Sequence, residues 1–171
     1  MHQSLAIHDA YKRGDLAALK ALLGDPPDFP NGRGPAGAGE IILEYAIYHS
    51  PLAFIRTLLD RGADPNYEDH AGFPSVIAAL TSARPDRGEI VRLLLASGAD
   101  IQARGFNDWT PLHHAAANDD LDGIRLLLAH GADPHARTRI DALATPLEEA
   151  EQLGRAAAAR LLRELTAETS A

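Results

Sequence analysis

Apolar residues along this chain recur in short runs at helical spacing, interrupted at regular intervals by polar turns and glycine. In residues 108–133 the pattern is cleanest. Leu112, Ala115 and Ala116 fall on one helical face, and after the polar residues 118–120 a second face carries Leu121, Ile124, Leu127 and Leu128. Thr110 can cap the first helix through its hydroxyl, and Pro111 suits the first helical position, where a missing N–H costs nothing. Gly131 stops the second helix, because glycine enters the left-handed conformation without a Cβ penalty. The predicted unit is helix, turn, helix, loop.

That unit recurs. The segments RGADPN at 61–66, SGADIQ at 97–102 and HGADPH at 130–135 space Gly62, Gly98 and Gly131 by 36 and 33 residues, a period that denotes stacked supersecondary units. With TPLHHAA at 110–116 followed by LLLAHGAD at 126–133, the sequence resembles the ankyrin repeat, a family whose repeats combine a β-hairpin loop with two antiparallel helices. The resemblance covers nearly the whole chain. In 41–66, which lacks the Thr-Pro start, Leu43 and Ala46 take the places of Leu112 and Ala115; in 72–100 Val76 and Ala79 do so, with about three extra residues near 83–88. At 144–165 Thr145, Pro146 and Leu147 return, Glu148 replaces the usual histidine, and Arg163 stands where Leu128 does, as the solvated face of a terminal repeat requires. Residues 5–23 keep Ile7, His8, Ala10 and Gly14 at matching offsets without a preceding hairpin.

The expected fold is therefore all-α, an ankyrin-repeat solenoid of about five antiparallel helix pairs with β-hairpin-like loops, forming a single domain over 1–171. Its parts are an N-terminal cap at about 4–24, a Pro/Gly-rich loop at 24–39 in place of the first hairpin, repeats at about 40–66, 67–102 and 103–136, and a C-terminal cap at about 137–166.

Composition narrows what such a scaffold can do. With no cysteine in 171 residues, disulfides and thiolate metal sites are excluded. The 24 acidic against 16 basic residues leave a formal net charge of -8, a field that repels nucleic-acid phosphates and favours basic protein partners. No run approaches the roughly 18 apolar residues of a membrane span, and the start lacks a signal pattern, so a cytoplasmic protein is expected. Lysine occurs only as Lys12 and Lys20 while arginine and alanine abound, a bias that points to a GC-rich bacterial genome.

Catalytic chemistry finds little support. GRGPAG at 32–37 formally matches G-x-G-x-x-G, but no strand precedes it and Pro35 lies inside it. His113 and His114, being adjacent, point about 100° apart on a helix, and no metal-ligand spacing exists, so no catalytic residue, metal or cofactor is assigned. The resemblance implies instead that His8 and His113 make structural hydrogen bonds tying loop to helix. It also places Glu68, His70 and Phe73, then Arg104, Phe106, Asn107 and Trp109, on successive hairpins, with Tyr48, His49, Thr81, Ser82 and Asn118 on the adjoining helix edges, lining a concave surface where the family meets its partners.

Tyr48, Phe73, Phe106 and Trp109 belong to a small aromatic complement, and aromatics are the usual anchors of an interface. Phe106, at a hairpin tip, is the hardest of them to explain by packing. Lys20, Arg56, Arg92, Arg125 and Arg160 share one position of every second helix, a basic ladder on the opposite side that Glu89 and Asp122 can partly neutralise. The expected function is a non-catalytic, monomeric protein-interaction module. Its alternatives are an immunity-type inhibitor of a co-encoded toxin and a self-associating scaffold.

Overall fold

The computed structural model describes residues 2–33, 41–67, 73–140 and 143–168. The chain divides into two compact units, Met1–Asp100 and Ile101–Ala171, each built only of helices and loops among the described residues.

In the first unit, three helix pairs follow in order: α1 (His2–Arg13) with α2 (Leu16–Leu22), α3 (Ile42–His49) with α4 (Leu52–Asp60), and α5 (Ser75–Thr81) with α6 (Arg87–Ala96). First helices pack on first helices and α4 packs on α6, so the apolar stripes predicted for each helix close against the next pair. Tyr11, Leu19, Ile42, Ile47, Ile55, Leu58, Ile77, Ile90 and Leu94 are fully buried between them. The α1–α2 turn needs Gly14: its φ is +68°, and a Cβ there would lie 3.2 Å from Phe54 on α4.

The Pro/Gly-rich loop carries more of the repeat than its composition suggests. The Asn31 side chain donates to the Gly62 carbonyl at 3.0 Å and accepts the Asp64 N–H at 2.7 Å. Asn66 does the same one repeat later, to the Gly98 carbonyl at 2.8 Å and from the Asp100 N–H at 2.6 Å. Pro30-Asn31 is thus the first rung of a ladder whose second is Pro65-Asn66, 35 residues on, a correspondence that the glycine and proline content conceals. The loop returns through an isolated bridge between Arg33 and Ile41, and residues 34–40 lie outside the described residues.

The extra residues before α6 are fastened at both ends. Arg84 donates to the Ser50 carbonyl and forks onto the Asp86 carboxylate at 2.8 and 2.7 Å, while Arg87 reaches the Leu80 carbonyl at 2.9 Å.

In the second unit, α7 (Pro111–Ala117) pairs with α8 (Leu121–Ala129) and α9 (Pro146–Gln152) with α10 (Ala156–Glu168). The predicted caps are present. Thr110 and Asp120 accept the N–H groups of His113 and Gly123, and Gly131 ends α8 at φ +87°. Leu112, Ile124 and Leu127 are fully buried. Arg163 is exposed and paired with Glu151, whereas its counterpart Leu128 is half-buried.

The expected hairpins are not strands among the described residues. In the second unit the Gly105 N–H donates to the Trp109 carbonyl at 2.9 Å and the Thr138 N–H to the Ala144 carbonyl at 3.0 Å.

Candidate functional site

The tie from loop to helix is chemically explicit at His113. Its ring is fully buried, with Nδ1 accepting the Thr110 N–H at 3.3 Å and lying 2.8 Å from the Thr110 hydroxyl. Nδ1 is then the acceptor nitrogen, so Nε2 carries the proton and donates to the Ala144 carbonyl at 3.0 Å. Burial pushes its pKa down, which keeps this neutral tautomer.

The same position in other repeats solves the problem with other chemistry. Glu148 closes the capping box on Thr145 with its carboxylate, as His113 does with its imidazole, but has no second donor to send onward. Glu44, 5% exposed, accepts the N–H of Phe73 at 3.2 Å, the residue equivalent to Ala144 in the loop that follows it. His8 places its Nδ1 2.8 Å from the Tyr45 hydroxyl, a side chain on the next first helix; the loop position equivalent to Ala144, Glu40, lies outside the described residues.

A second tie joins the loop tips of the second unit. Asp108 sits in a 3-10 turn, Phe106–Asp108, and both Asn107 and Asp108 have positive φ, 57° and 58°. The Asp108 carboxylate accepts the Arg139 backbone N–H at 2.6 Å and its guanidinium at 2.5 and 3.0 Å. Arg139 therefore holds the Asp108 carboxyl down to about 2. Arg104, expected to face a partner, is turned into its own loop, donating to the Asp108 carbonyl at 2.9 Å and its carboxylate at 2.7 Å.

These ties leave an apolar tip. Phe106 is 69% exposed, and Ile140 and Leu143 on the neighbouring tip are 49% and 52% exposed; they are three of the five large apolar side chains so exposed among the described residues. Leu143 holds φ at +51°, a strained conformation for a leucine. Ile140 and Leu143 were missed from sequence. The signal was two large apolar residues in an otherwise polar loop. Trp109 is half-buried, its ring edge-on to His114 with centroids 5.1 Å apart, and Asn118 is exposed while bonded to the His114 carbonyl at 2.8 Å. Burial, then the neighbouring His113, pushes His114 down to about 4.

In the first unit, exposed His49 joins a ring cluster with His8, Tyr45 and Tyr48 at centroid distances of 5.2, 4.4 and 6.2 Å. The Tyr48 hydroxyl lies 3.4 Å from that of exposed Thr81. Phe73 is half-buried at its loop base. Ser82 is 4% exposed, its hydroxyl given to the Ala79 carbonyl at 2.7 Å, so it lies inside and not on the helix edge. Glu68 and His70 lie outside the described residues. The five ladder cations are all exposed, and Arg125 pairs with Asp122 at 3.5 Å.

Among the described residues no three His, Asp or Glu converge as a metal site, and no helix is long and apolar enough to cross a membrane. The family model for ankyrin repeats (3 copies) matches residues 76–171. Over 80 residues, 46% of this chain, the sequence is 32% identical to alpha-latrocrustotoxin-Lt1a and 38% identical to alpha-latroinsectotoxin-Lt1a, both from Latrodectus tredecimguttatus. The match spans 5% of the length of either relative. Repeats of this kind are generally protein–protein interaction modules and typically non-catalytic. The helix pairs, the Thr-Pro caps and this match together make the chain a member of the ankyrin-repeat family.

Proposed function

We propose that this chain is a non-catalytic module that binds a basic partner protein, and that its second unit does so through Phe106, Ile140 and Leu143. The observation that carries the reading is apolar exposure on two tips joined by Asp108 and Arg139. Exposed apolar side chains held on a preformed frame bind without first being ordered. Strain at Leu143 is the kind that persists at binding sites. Asn107, Trp109 and Asn118 accompany this surface. In the first unit Tyr48, His49, Phe73 and Thr81 are the corresponding candidates, while buried Ser82 is left out. The net charge of -8 favours the basic partner. A cytoplasmic site of action in a bacterium belongs to the same reading and rests on the cysteine-free, arginine- and alanine-rich composition.

The test compares the tagged chain with a Phe106→Ser/Leu143→Ser variant in native lysate. Arg104 is left intact because its loss would open the loop. The expected result is a basic protein retained by the parent and lost from a variant that melts at the same temperature. If both versions retain the same proteins, the tips are not the binding surface. A mass by light scattering that doubles with concentration would favour the self-associating reading.

A further inference from the structure

The asparagine that carries the first rung of the loop ladder is joined to a glycine. An asparagine amide is most open to attack by its own backbone when glycine follows, because no Cβ shields the next peptide nitrogen. Of the four asparagines in the chain, Asn31 alone has glycine after it: Tyr67 follows Asn66, Asp108 follows Asn107 and Asp119 follows Asn118.

The fold asks for both halves of this pair. The rung needs one donor and one acceptor on the same short side chain, to reach the Gly62 carbonyl at 3.0 Å and the Asp64 N–H at 2.7 Å, and an amide supplies both. Gly32 has φ +91°, and a Cβ there would lie 2.5 Å from the Asp28 carboxylate. Its carbonyl accepts the Ile42 N–H at 3.1 Å, which closes the loop onto α3. In the second rung Asn66 makes the same pair of bonds, but the residue after it is Tyr67. Two rungs of one geometry therefore differ in chemistry.

We propose that Asn31 is a self-modification site, which deamidates through a cyclic imide formed with Gly32, and that its product releases the first loop from the ladder. The Gly32 peptide nitrogen, its proton removed by hydroxide, attacks Cγ of Asn31. The N–Cγ bond forms, the Cγ–Nδ2 bond breaks and ammonia leaves. One water then opens the imide, to aspartate where the new bond breaks or to isoaspartate where the original peptide bond breaks. In aspartate a charged oxygen replaces the donor that faces the Gly62 carbonyl, so acceptor is set against acceptor. Isoaspartate adds a methylene to the main chain just before Gly32, whose carbonyl holds Ile42. Both polar atoms of the Asn31 amide are engaged in the rung and Gly32 is buried, so the reaction draws on the opened loop. The site lies in the first unit and does not depend on the role of the loop tips.

The experiment incubates the full chain at mildly alkaline pH, natively and in urea, and follows each asparagine by peptide mapping. Mass reads the exchange of NH2 for OH, and chromatographic retention separates isoaspartate from aspartate. Asn31 is expected to convert in the native chain while Asn66, Asn107 and Asn118 persist. Conversion should be at least about tenfold faster in urea, where the two hydrogen bonds of the rung are gone. Tyr67→Gly should bring Asn66 under conversion and Tyr67→Ala should not, which separates the neighbour's chemistry from lost tyrosine packing. In the converted chain the Asp64 amide should exchange hydrogen at least about fivefold faster. The proposal is overturned if native Asn31 stays intact while the chain in urea converts, or if Asn66 of the parent converts as fast as Asn31. Equal rates in urea and in the native chain, or an Asp64 amide unchanged by conversion, would overturn the link to the rung.

Discussion

The carboxylate of Asp108 receives both the backbone N–H and the guanidinium of Arg139, 31 residues away, and this is how two consecutive loop tips become one frame. The Asp108 side chain is only 9% exposed, although its partner is 72% exposed.

Asp108→Asn is expected to cost about 1–2 kcal/mol at pH 7, less than a buried ion pair because Arg139 is solvated. The folded pKa is about 2 against an ordinary 3.8, so the stabilisation is full above 3.8 and is lost as pH falls through 2. Urea melts at pH 7 and pH 2 should show the variant's deficit at the first and little of it at the second.

His114 and His113 give the opposite group type with its own window. Their folded pKa values lie below 6.5, His114 at about 4, so folding favours the neutral rings. Stability is complete above 6.5 and declines as pH falls towards 4, a range in which the Asp108 contribution is still intact. Denaturation midpoints at pH 7, 6 and 5 should fall for the parent and fall less steeply for His114→Gln.

Asn66→Ala removes one rung of the loop ladder, two hydrogen bonds at 2.8 and 2.6 Å. A loss of about 1–2 kcal/mol is expected, together with faster hydrogen exchange at the Asp100 amide. Unchanged protection there would mean that the ladder does not hold the loops in solution.

Leu127→Asp should unfold the second unit, since Leu127 is fully buried and an unpaired carboxylate there costs more than about 4 kcal/mol. Leu5→Asp, at 60% exposure, should shift the melt by less than about 0.5 kcal/mol. A cooperative parent-like melt for Leu127→Asp would contradict the packing described.

What the sequence determined by itself was the local grammar. Thr110 and Thr145 before proline, and Gly62, Gly98 and Gly131 after their apolar runs, each act within a few residues, and each produced the predicted element. Tertiary structure decided the longer links. Whether Asn31 belongs to the repeat depends on Asp64, 33 positions away; whether Arg104 meets a partner or its own Asp108, and whether Ser82 faces outward, involve neighbours only four and three positions away but depend on how the loop and the helix end are turned in the fold. Exposure of Ile140 and Leu143 is of the same kind, because a loop residue is buried or bare according to what folds over it. Helix caps are short-range and legible in one dimension; hydrogen bonds between loops exist only once the repeats stack.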